Sequence, residues 1–423
     1  MAYESPLRER HATYQQPRRP DPALRPGAAT GFQRTAPEVQ YLSWGSADPG
    51  REPTCQIVST FGDLESEYAA IRTGAGLLES PNRGTICVEG ADRCEFLDRM
   101  LTQQVKDLGP GQARPAFLLN RKGRIEADLL LIETGERLLI DVDVHRATPT
   151  VQILERFLFL EDVRIEEASG QWHHLAIHGP RAADVITAAA GIDSFELEPL
   201  ASATLQIAGV ASVVVRRDQT GEMGLQLICP LDQVETIWER LIATDESIGG
   251  SRRRVRPIGW HAFNVARIEA GTPLFHLDFG SDSLPHETGV LDDRVSFTKG
   301  CYLGQEIVAR TQSRGRPRQR LVGVRMATDH LPIAGAEVYQ ASGEPSTPVE
   351  DLPAIGVITS STLSPMLGAA PIAFGRIKTD CATEGAALLV AAEGEQAQAT
   401  VSGLRFWAPT SASGPRGGPP ERA

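Results

Sequence analysis

Two stretches of this 423-residue chain open alike, and that repetition limits its fold more than any other feature. In TICVEGADRCEFLDRML (85–101) an apolar strand pattern meets a glycine, and a helix pattern begins within three residues; HLAIHGPRAADVITAAA (174–190) repeats the order. In the first, Ile86 and Val88 alternate with Thr85 and Cys87 as in a half-buried strand. Cys94, Leu97 and Leu101 then recur at three and four residues on one helix face. RPAFLLNRKGRIEADLLLIETGERLLIDV (114–142) follows, three apolar runs parted by NRKG and ETGE, which predicts short antiparallel strands joined by tight turns. The second stretch continues through a strand pair in SVVVRRDQTGEMGLQLICP (212–230) and a helical stripe of Val234, Ile237, Trp238 and Leu241. The expected fold class is α+β, with two related α+β halves at 55–168 and 169–316.

From 317 to 408 the pattern changes to short β-type runs, RLVGVRM, AIGVITSS, IAFGRIK, ALLVAA and ATVSGLRF, with no helical period. That predicts a small C-terminal β-barrel as a separate domain. Residues 1–54 and 409–423 are rich in Pro, Arg, Gln, Ser and Gly with little apolar periodicity, so both are expected to be disordered.

With 41% hydrophobic residues the chain can bury a sizeable core, and its net charge of −12 disfavours general attraction to nucleic acid or anionic membrane. Six cysteines, Cys55, Cys87, Cys94, Cys229, Cys301 and Cys381, are scattered without a CxxC pair, which points to a reducing compartment. No apolar leader and no run of ~20 apolar residues is present, so a cytoplasmic location without membrane attachment is expected.

KGCYLGQE (299–306) is the frame most suggestive of chemistry. Cys301 stands two residues from Lys299, beside Gly300, ahead of a helix predicted within CYLGQEIVAR. An ammonium and helix N-terminal amides both favour a thiolate, so Cys301 and Lys299 read as a reactive pair. The other five cysteines fall inside strand or helix patterns and read as core. RTQSRGRPRQR (310–320) carries five arginines and no acid, either a solvated hinge or a site for an anionic tail or RNA. His173 and His174 are neighbours on a strand pattern, point to opposite faces and cannot share a metal. No metal site, phosphate loop, dinucleotide fingerprint or nucleophile elbow is found.

RIEAG (267–271), SFTKGCYLGQEIVAR (296–310) and IGVITSSTLSPMLG (355–368) together resemble the YgfZ-type folate-binding proteins, relatives of the glycine-cleavage T-protein, an aminomethyltransferase. EFLDRMLTQQV, GQARPAFLLNRKGRIEADLLL and TGEMGLQL extend the resemblance from about Glu65 to Trp407. It implies a T-protein-like fold whose central cavity holds tetrahydrofolate, with Asn120, Asp128, Gln226, Arg267 and Glu269 binding it and Asp128 also serving catalysis. It further implies a role in assembling or repairing iron–sulfur client enzymes through Cys301. T-proteins carry an Asp-Asp pair where this chain has Ala127-Asp128, a Tyr at Gln219 and a Glu at Gln226. Those departures lead to the expectation that aminomethyl transfer, the alternative function, is absent. Two site readings stay open on the residues alone: Asp128 as a surface strand residue, and Arg267 with Glu269 as an internal ion pair.

Overall fold

The computed structural model describes residues 4–14, 38–45, 55–247, 255–341 and 353–409. Two sheets pack face to face at its centre. One is wholly antiparallel, running Gln112–Leu119, Ile125–Glu133, Leu138–Asp143, Arg83–Glu89 and Arg164–Glu167 in that spatial order. The other orders Ser202–Ile207, Val210–Arg216, Gly224–Pro230, Trp172–His178, Ala75–Glu79 and Val255–Ile258, the last pair being parallel. Ala75–Glu79 precedes the whole first sheet in the chain yet pairs with Trp172–His178, so the two halves are stitched together by an exchanged strand.

Helices cover the outer faces. Arg93–Met100 and Val144–Glu155 seat Phe96, Leu97, Val151 and Leu154 on Ile86, Val88, Leu129 and Leu131. Ala182–Ala190 and Val234–Ser247 do the same for the second sheet with Val185, Ile186, Ile237 and Trp238. Between the sheets, Cys87, Leu130, Ile132 and Leu139 meet Val213, Val215 and Ile228. Each such buried aliphatic contributes roughly 1.5–3 kcal/mol. The strand at Thr85–Val88 is therefore buried on both faces, not one, because a second sheet covers the side that alternation alone would leave to water.

The repeated strand–glycine–helix opening has a common backbone cause. Gly90 and Gly179 both adopt positive φ, +102° and +135°, and a side chain on either would run into a carbonyl oxygen, of Asp162 and Gly74 respectively.

The C-terminal strands Gln319–Met326, Ala370–Lys378, Gly356–Ser364, Glu337–Gln340, Ala387–Ala392 and Glu395–Ser402 close into a six-stranded barrel around Val324, Val338, Ile358, Val390 and Val401. Its link to the sheets is polar and buried. From the helix Trp260–Glu269, Arg267 donates to Ser360 Oγ and to Asp278 Oδ2 (2.5 Å), and Glu269 accepts from Ser364 Oγ, Arg72 Nη2 and Tyr68 Oη.

Parts of the leading stretch expected to be disordered are ordered. Arg8–Tyr14 is a helix whose flank buries Leu7 and His11 in the second sheet's core, and Gln40–Trp44 pairs with Cys55–Thr60. A few apolar residues suffice because they pack against the larger core of the second sheet. Residues 1–3, 15–37, 46–54 and 410–423 lie outside the described residues.

Candidate functional site

A narrow slot with an internal free volume of about 70 Å³ is lined by residues of both sheets. Asp128 enters it from the first sheet. The NRKG turn fixes the register, pairing Asp128 with Phe117 and Ala127 with Leu118, so alternation sends Ala127 into the apolar core under the helices and Asp128 into the slot. Asp128 Oδ1 accepts from Arg294 Nε at 3.2 Å. From the second sheet come Gln226, Ala176 and His178, with Gln226 opposite Ala176 and Gly224 opposite His178. Trp44, Trp260, Phe263 and Phe275 supply aromatic walls, Trp44 meeting Trp260 edge-on at 5.0 Å.

Beneath these residues charges are buried in balanced groups. Asp141 is fully buried and accepts from Arg83 Nε (2.6 Å) and Arg217 Nη1 (3.2 Å). Burial opposes its ionisation, yet the guanidiniums, Arg83 foremost, hold its carboxyl at about 2. Glu79, at the slot's edge, accepts from His173 Nε2 (2.9 Å) and from Ser5 Oγ, so the ordered N-terminal segment reaches the slot's wall from behind. Burial alone would raise the Glu79 pKa; the His173 hydrogen bond and the nearby His11 bring it below the usual value.

His174 lies on the opposite face of the strand from His173, as the spacing predicts. Burial pushes it down to about 4, so its ring is neutral; Nε2 meets Thr85 Oγ1 at 2.8 Å and Nδ1 meets Gln226 Nε2 at 3.1 Å. With Gln226 Nε2 donating to Nδ1, the amide oxygen is left as the acceptor available to the slot.

Of the residues singled out from sequence, the structure brings Asp128 and Gln226 together in the slot, with Gln219 beside them. It separates the rest. Asn120 closes its own turn, its Oδ1 accepting from the backbone N–H of Lys122 and Arg124 and its Nδ2 donating to Glu126. Arg267 and Glu269 do not pair with each other and serve the barrel latch described above. Arg267 instead borders an adjoining groove that shares Trp44 and Trp260 with the slot. Lys299 does not activate a thiol: its Nζ donates to the carbonyl oxygens of Asp98, Leu101 (2.8 Å) and Gln103 (2.9 Å), capping the C-terminus of the helix Arg93–Met100.

Cys301 is exposed and is not among the residues lining the slot. The helix behind it starts only at Gln305, too far on for its first-turn amides to surround the sulfur. Gly304 is there for packing, since a Cβ would sit 2.6 Å from Asn120 O, where the helix crosses the NRKG turn. The five arginines from Arg310 to Arg320 are exposed on that helix and the segment that follows it. His178 is the slot residue that sequence reasoning missed. The signal was the strand alternation that places it on the face of His174 and Ala176.

A slot walled by aromatic rings and edged with a carboxylate, an amide and an imidazole has the lining that suits a flat, polar heterocycle. Residues 39–299 match the GCVT N-terminal domain and residues 319–407 the glycine cleavage T-protein C-terminal barrel domain. The chain belongs to the glycine cleavage T-protein family. An aminomethyltransferase of Geobacillus kaustophilus is 29% identical over 353 residues, 82% of this chain and 91% of that protein. One from Halalkalibacterium halodurans is 30% identical over 315 residues, 73% and 80% of the two chains. The crystal structure of glycine cleavage system aminomethyltransferase T from Bartonella henselae superposes with a TM-score of 0.77 at 23% identity, covering 96% of this chain and 98% of that one. These relatives overturn the expected main role as a YgfZ-type accessory to iron–sulfur enzymes, since proteins spanning most of the chain carry the aminomethyltransferase name. The exposed, isolated position of Cys301 removes the physical argument for that role as well. Among the described residues no cluster suited to a metal ion is present, and no helix is long and apolar enough to cross a membrane.

Proposed function

We propose that the protein is an aminomethyltransferase whose one-carbon acceptor is tetrahydrofolate. The observation that carries this reading is Asp128 facing the slot on the same wall system as Gln226. The missing first acid of the family's Asp-Asp pair, here Ala127, falls at a core position, so its loss costs the slot nothing. Of the three departures that argued against transfer, only Ala127 lies off the cavity; Gln219 and Gln226 line the slot, where Gln226 keeps an acceptor oxygen in place of the family's carboxylate.

The residues present fit a reduced folate. Trp44, Trp260, Phe263 and Phe275 provide flat apolar faces, and the Gln226 oxygen provides an acceptor for the ring's N–H edge. When bound, tetrahydrofolate supplies the amine nitrogens that take up the one-carbon unit. Asp128, steadied through Oδ1 by Arg294, offers a carboxylate oxygen that can take a proton from such an amine. The aromatic walls keep bulk water from the reacting region.

The test is formation of methylene-tetrahydrofolate and ammonia from tetrahydrofolate and a lipoyl-bearing carrier loaded with an aminomethyl group. Asp128→Asn is expected to lower kcat/KM by about 10²–10⁴-fold while changing tetrahydrofolate affinity only a few-fold. A wild-type protein that binds tetrahydrofolate yet forms no product, or a fully active Asp128→Asn, would overturn the reading.

A further inference from the structure

Strand Trp172–His178 carries three buried histidines, and two of them are spent on protein partners: His173 on Glu79, His174 on Thr85 and Gln226. His178 is different. Its residue is 1% exposed, both ring nitrogens are shut off from solvent, and neither has a hydrogen-bond partner among the described residues, yet the side chain lines the slot. A neutral imidazole holds one donor and one acceptor, and buried groups of that kind are nearly always satisfied in folded proteins.

We propose that His178 is a ligand-recognition residue of the slot, hydrogen-bonding the polar edge of the bound heterocycle alongside Gln226. The identity of that heterocycle as the pterin of a reduced folate rests on the function proposed above. The geometry favours this use of the ring. His178 sits opposite Gly224, where an added Cβ would run first into Arg217 O at 2.2 Å and would also crowd His178 Nδ1 at 3.1 Å. Gln226 is two residues along from Gly224 and projects from the same face, which makes it the diagonal neighbour of His178. Phe263 packs at 5.2 Å from the ring, so the imidazole is held by packing and its nitrogens are not committed. Burial pushes its pKa down to about 4, with Asp218 opposing and Arg217 reinforcing the shift, so the ring meets its ligand neutral, as donor and acceptor at once. An edge that alternates N–H and carbonyl groups is the complement of such a pair.

The experiment compares wild type, His178→Leu and His178→Gln in calorimetric titration with 5-formyltetrahydrofolate, an oxidation-stable reduced folate, and in thermal melts without ligand. His178→Leu is expected to bind at least ten-fold more weakly while melting at or above the wild-type temperature, because an apolar side chain relieves the unsatisfied nitrogens. His178→Gln, which keeps a donor and an acceptor, is expected to recover most of the affinity. Undiminished binding by His178→Leu overturns the proposal and leaves the folate reading standing. Weakened binding accompanied by a lowered melting temperature in both variants also overturns it, by showing a structural role. If the wild type itself fails to bind, the folate reading falls and this extension falls with it.

Discussion

Replacing Lys299 by Met keeps the aliphatic stem and removes only the ammonium, which separates a structural role for the KGCYLGQE frame from a chemical one. In the folded protein Nζ donates to three backbone carbonyls between Asp98 and Gln103 and lies 3.6 Å from Asp98 Oδ1, with no solvent exposure of the side chain. Hydrogen bonds to a charged group contribute ~1.5–3 kcal/mol each, so simple counting gives about 6 kcal/mol for the three. Desolvation takes part of this back, as the downward shift of the Lys299 pKa records, with Asp98 only partly compensating. The expected loss is about 3 kcal/mol, which for a domain of this size corresponds to a fall in Tm of roughly 6–12 °C. Cys301→Ala, at an exposed position, should stay within about 0.5 kcal/mol. Differential scanning calorimetry of the two variants beside wild type decides the matter. A Lys299→Met protein that melts with the wild type, or a Cys301→Ala protein that is equally weakened, would refute the capping argument.

Glu269→Gln leaves the buried Arg72 guanidinium with a neutral partner at the joint between sheets and barrel, so a loss of about 3 kcal/mol is expected in thermal or urea unfolding. Tetrahydrofolate affinity of the folded fraction should be unchanged; a selective loss of affinity would return Glu269 to the binding site. Acid should also destabilise the fold. Burial depresses both His174 and His178 from 6.5 to about 4, so in the unfolded chain they take up protons first. Stability is then full above pH 6.5 and is lost as pH falls through about 4, by about 3 kcal/mol per histidine. Unfolding followed between pH 7 and 4.5 should show uptake of about two protons from this pair, and a flat profile would contradict it.

Much of the fold was legible because its signals are local. Alternation in TICVEG and HLAIHG, the stripe at Val234–Leu241 and the helix-free pattern after Arg320 each reflect which side of an element meets apolar neighbours. Asp128 and Gln226 were named through the family resemblance, and strand register is what puts both on the lining of the slot. The remaining site residues were not. Lys299 is two residues from Cys301, yet its charge is spent on carbonyls some 200 positions earlier in the chain. Arg267 and Glu269 look like an ion pair, yet Arg267 pairs with Asp278, eleven residues on, and Glu269 with Arg72 from early in the chain. His178 resembled any core histidine until the lack of a partner for its ring could be seen.

The amino-acid order by itself determined the layers of this protein, its doubled strand–glycine–helix opening and its terminal barrel, since periodicity and turn chemistry act over a few residues. Only the tertiary structure decided which polar groups meet. Hydrogen bonds and charge pairs need approach within about 3 Å, and the exchange of one strand between the sheets sets which distant segments come that close.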